Sequence, residues 1–87
     1  MSKLSIQTRL DLIRMHIDGL TNDVVKLKII AKVNTKLNTV QNKINTNGNF
    51  PDNSDIDIEL TESLDYIDEL ILYFENETDV PSGGGGG

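Results

Sequence analysis

Met15-His16-Ile17-Asp18-Gly19-Leu20-Thr21-Asn22-Asp23-Val24-Val25, residues 15–25, supports two readings, and the choice between them decides the fold. Read locally, it is a corner. Gly19 suits the residue just past a helix, and Thr21 or Asn22 suits the cap of the next one. Read over a longer range, it is the middle of one helix. Steps of four and three residues visit Ile6, Leu10, Ile13, Ile17, Leu20, Val24, Leu27 and Ala31, all apolar, and then Asn34, Asn38, Gln41 and Asn45, all amides. Four apolar heptads in unbroken register are a coiled-coil signal. Gly19 inside such a helix costs about 1 kcal/mol against Ala, which packing on this scale offsets.

The long-range reading predicts an all-α fold. A coiled-coil helix spans residues 3–46, with a bend allowed at Gly19, a loop spans 47–54, and an acidic helix folds back antiparallel over 55–76. The alternative is a monomeric three-helix bundle with its corner at Gly19. Either way residues 1–77 form a single helical domain, and 78–87, ending in five glycines, form a disordered tail.

Asn47-Gly48-Asn49-Phe50-Pro51-Asp52-Asn53 is the clearest break in the chain. Ser54 and Asp57 after it resemble a capping box, with Asp in place of the usual Glu. Ile56, Leu60, Leu64, Ile67, Leu70, Ile71 and Phe74 then fall within about 120° of a helical wheel. A second stripe on the long helix, Ile30, Val33, Leu37, Val40 and Ile44, lies on its far side and offers the acidic helix a surface. The ridge from Ile6 to Ala31 is left over, and the partner expected for it is a second copy of the chain. A parallel trimer is the favoured arrangement, with Asn34 and Asn38 continuing the seam as polar layers that set register. On that reading Ile17→Asp turns the oligomer into a monomer that keeps its hairpin.

Charge divides sharply. Residues 1–50 hold all eight Lys and Arg against three Asp, and residues 51–87 hold eleven acids and no base, giving +5 and −11. Arg14, Lys28, Lys32, Lys36 and Lys43 share one side of the long helix, where acidic flanks can pair with them. Asp55, Asp57, Glu59, Glu62, Asp65, Tyr66, Asp68, Glu69 and Tyr73 form a possible surface for an unidentified protein partner.

Chemistry finds little purchase. With one His and no Cys, neither a thiolate zinc site nor a Cys–His nucleophile is available. His16 is expected at a solvated helix boundary. From Asp52 or from Asp55, the EF-hand positions fall on apolar residues or lack the closing Glu. No enzyme activity, cofactor or metal is expected. No apolar run suits a membrane span or an export signal, so the expected location is the cytoplasm or a particle assembled inside a cell.

In composition, the Asn/Thr-rich stretch at 34–47 resembles the coiled coils of viral fibres and connectors, which implies a structural role. The function expected is a non-enzymatic structural, adaptor or assembly protein acting by self-association. A small acidic inhibitor that imitates nucleic acid is the second reading. A DNA-binding regulator is the third, and nucleic acid is an unlikely partner beside so acidic a helix.

Overall fold

The structure is a computed structural model that describes residues 3–79. It is all-α. Helices α1 (Lys3–Asp18), α2 (Asp23–Asn47) and α3 (Asp55–Asp79) pack in a manner compatible with a three-helix bundle. No strand occurs among the described residues. The glycine-rich tail expected to be disordered lies outside the described residues from Val80 onward.

The continuous helix expected over 3–46 is interrupted, and the corner is the local one. The last bonds of α1 are from Gly19 N to Met15 O (3.0 Å) and Leu20 N to Ile17 O (3.1 Å). Asn22 then caps α2 from an extended backbone (φ −85°, ψ 107°), its Oδ1 accepting from Val24 N at 3.0 Å and Val25 N at 3.2 Å. These are donors that the helix start leaves without a carbonyl. Gly19 does not act as a left-handed cap, because Gly48 is the one glycine with positive φ among the described residues. A β-carbon on Gly19 would sit 3.4 Å from Met15 O, an ordinary contact. The corner therefore depends on the Asn22 cap and on the weak helix propensity of glycine. Asn22→Ala is expected to cost about 1 kcal/mol of stability, read as a lowered urea midpoint with an unchanged slope.

Turning at the corner sends α1 back along α2. Gln7 meets Gln41 through a reciprocal amide pair (2.9 and 2.8 Å), and Arg14 reaches Asn38 at 3.3 Å. The first half of the ridge now supplies this subunit's own core: Ile6, Leu10, Ile13 and Ile17 are buried. Facing them are Val25, Ile29, Val33, Leu37, Val40 and Ile44 from α2, and Leu60, Leu64, Ile67 and Ile71 from α3. All seven residues of the stripe expected on the acidic helix join this cluster, with Ile56, Leu70 and Phe74 at its edge.

The loop between α2 and α3 carries two positive-φ residues, Gly48 (φ 63°, ψ −147°) and Asn53 (φ 65°). Asn tolerates the left-handed region, whereas the Gly48 conformation is close to glycine-only. No atom lies within 4 Å of a β-carbon placed at Gly48, so substitution there meets backbone strain alone. Gly48→Ala is expected to lower stability by about 1–3 kcal/mol, seen as a reduced thermal midpoint. Phe50, which sequence periodicity leaves without a place, is buried against the cluster. Ser54 caps α3, its Oγ accepting from Asp57 N at 3.4 Å. Asp57 accepts from Asn53 N at 2.7 Å, one residue before the cap, while Ser54 N donates to Pro51 O, so the reciprocal half of the expected box is shifted by one residue.

Candidate interaction surfaces

The described residues hold no cluster of three or more metal-ligating side chains, and none of their helices is long and apolar enough to cross a membrane. The spaces between helices are open grooves. What remains is the outside of the bundle, which carries two distinct faces.

The first is the outer face of α2. The corner divides the ridge expected from Ile6 to Ala31. Its first four residues are inside; Leu20 is half-buried; Val24 is 60 % exposed, Leu27 is 67 % exposed, and Ala31 is exposed. Asn34, Asn38 and Asn45 extend this line as exposed amides, while Gln41 turns toward Gln7. The core stripe of α2 occupies the opposite side of the helix, so nothing in the subunit covers Val24 and Leu27. Ile17→Asp no longer separates assembly from folding, because Ile17 is 5 % exposed inside one subunit.

The second is α3, which carries ten acids and no base between Asp55 and Asp79. Some of that charge is answered within the bundle. Arg9 meets Asp65 at 2.7 Å and Asp68 at 2.5 Å; His16 meets Glu75 at 2.9 Å; Lys43 pairs with Glu59. Burial works against the Arg9 charge, but the hydrogen bonds it donates to Asp68 and Asp65 prevail and hold its pKa above the usual value. Lys36 lies over the Tyr66 ring, 5.4 Å from its centre. The His16 partner explains its boundary position. Arg9 was missing from the basic stripe expected to pair with α3, because only the folded-back α1 brings it there.

The possible partner surface on α3 therefore separates into parts. Asp57 is 1 % exposed and belongs to the cap, so it is not part of the outer surface of α3. Glu59, Asp65 and Asp68 are exposed but engaged with bases of this chain. Asp55, Glu62 and Glu69 are exposed, make no ion pair, and recur every seven residues, so they share one face with Tyr66 and Tyr73. Sequence periodicity also passed over Leu4, Leu12 and Met15, exposed off the ridge of α1. Leu12 and Leu72 border a groove floored by Ile13 and Ile71. No family model matches the chain, and no curated protein or solved structure is similar to it.

Proposed function

We propose that this chain is a non-enzymatic adaptor or assembly protein that works by associating with itself. The observation that carries this reading is the uncovered line Val24, Leu27 and Ala31, headed by the half-buried Leu20, apolar at helical spacing and followed by amides. A continuous apolar line on a small helical domain is an association surface more often than an accident, whereas single exposed Leu side chains are ordinary. Polar layers of Asn beyond it restrict the register in which two such lines fit.

Sedimentation equilibrium at about 50 µM tests the reading, since a modest helical interface gives micromolar affinity. The wild type is expected above monomer mass, and Leu27→Asp is expected at monomer mass with unchanged helix content. A wild type that stays monomeric overturns the proposal.

The free acids support a second reading, a small inhibitor that occupies a basic nucleic-acid-binding site. Asp55, Glu62 and Glu69 project along one side at about 10 Å intervals, given a rise of 1.5 Å per residue. Salt-sensitive competition with DNA for a nucleic-acid enzyme would favour it, and absence of competition at low salt would remove it.

A further inference from the structure

We propose that two copies of this chain join by exchanging α1, with residues 19–22 turning helical so that each α1 occupies its seat on the other copy's α2 and α3. This deepens the self-association reading and rests on it. Three observations converge.

The first is register. Within the subunit the numbers of facing residues on α1 and α2 add to 48 (Gln7 with Gln41) and 52 (Arg14 with Asn38). An exchanged pair of antiparallel helices preserves those contacts between copies. Heptad positions a and d pair across an antiparallel seam when residue numbers add to 51, which lies between the two observed values. That register sets Leu20 against Ala31 and Val24 against Leu27, twice each, around the two-fold axis. These are the four ridge residues that the single subunit fails to bury. The same register faces Lys28 with Asp23, so that flank brings opposite charges together.

The second is the corner itself. Gly19 has neither a positive φ nor a contact that forbids a side chain, and Leu20 to Asn22 are held by the Asn22 cap and by the Leu20 side chain at the edge of the core. Extending the helix through these residues needs no φ change that an L-residue resists. The heptad phase already runs unbroken across them.

The third is economy of contacts. Exchange of an identical element keeps every α1 contact, merely between copies, and adds the central apolar pairs; this is why exchange is a low-cost route to dimers.

The test uses the absence of cysteine in the chain. A Gln7→Cys, Gln41→Cys variant is purified, its dimer fraction isolated, and its thiols joined by a short bifunctional maleimide before denaturing electrophoresis. Exchange predicts covalent dimers from the dimer fraction and internally linked single chains from the monomer fraction. Gly19→Ala with Asn22→Ala, which favours helix through the corner, is expected to tighten dimerisation by about tenfold or more. Internally linked single chains from the dimer fraction would overturn the exchange and leave self-association standing. Monomer mass for the wild type would overturn both.

Discussion

Ile17→Asp is expected to unfold the subunit, with loss of the helical circular dichroism signal at 25 °C. The side chain is 5 % exposed and sits among the buried residues of all three helices. An ionised carboxylate placed there loses its water and finds no designed partner. Even if it takes up a proton, the neutral acid keeps an unsatisfied polar group and gives up the dispersion contacts of Ile. The combined cost exceeds about 4 kcal/mol. A chain of this size has a total stability of roughly 4–13 kcal/mol, so the substitution removes much or all of it. Leu27→Asp, ten residues further along the same heptad ridge, is expected to leave the fold intact because Leu27 is 67 % exposed. The contrast is a direct test of the corner. In a coiled coil whose whole ridge is covered only by a second copy, both positions lie in the interface and both substitutions would act alike. Retention of helix by Ile17→Asp would contradict the bundle.

Leu64→Ala is expected to be among the most damaging of the simple truncations on α3. Leu64 has no exposed surface, and it belongs to the cluster to which α1 and α2 also contribute. Removing it deletes apolar contacts and leaves a cavity that rigid helices close only in part, at a cost of about 2–5 kcal/mol. For a domain of this length each 1 kcal/mol moves the thermal midpoint by about 4–8 °C, so a fall of at least about 10 °C is expected in a melting scan. Leu72→Ala on the same helix, 59 % exposed, serves as the control and should move the midpoint little. Equal losses at the two positions would mean that α3 does not pack with the face described.

Much of this core is legible in the residue pattern. The stripe from Ile56 to Phe74 and the box of Ser54 and Asp57 depend on contacts within one helix or one turn, and local spacing records such contacts directly. The corner is harder to read because two signals compete there. Periodicity reports the phase of apolar residues and is silent about whether the backbone between them stays helical. Leu20 and Val24 continue the phase of Ile13 and Ile17, so the ridge seems unbroken although α1 and α2 point in opposite directions. A decisive signal was available in Val25 and Ile29. With Val33, Leu37, Val40 and Ile44 they make a stripe reaching the first turns of α2, so that helix has its own core face from its start. A helix with apolar residues on two sides at once, over residues 24–31, needs two coverings. The surface of α3 was less legible for another reason: which acids stay free depends on Arg9 and His16, and those arrive only through tertiary folding.

The amides at the α1–α2 seam have a consequence of their own. Gln7 and Gln41 each donate to and accept from the other and carry no charge at any ordinary pH. By contrast, α3 is flanked by Arg9 and Lys43, whose attraction for Asp65, Asp68 and Glu59 weakens as salt rises. The two sides of the molecule thus respond to different things. Brine slackens the grip on the third helix, while the neutral clasp between the first two is indifferent to it.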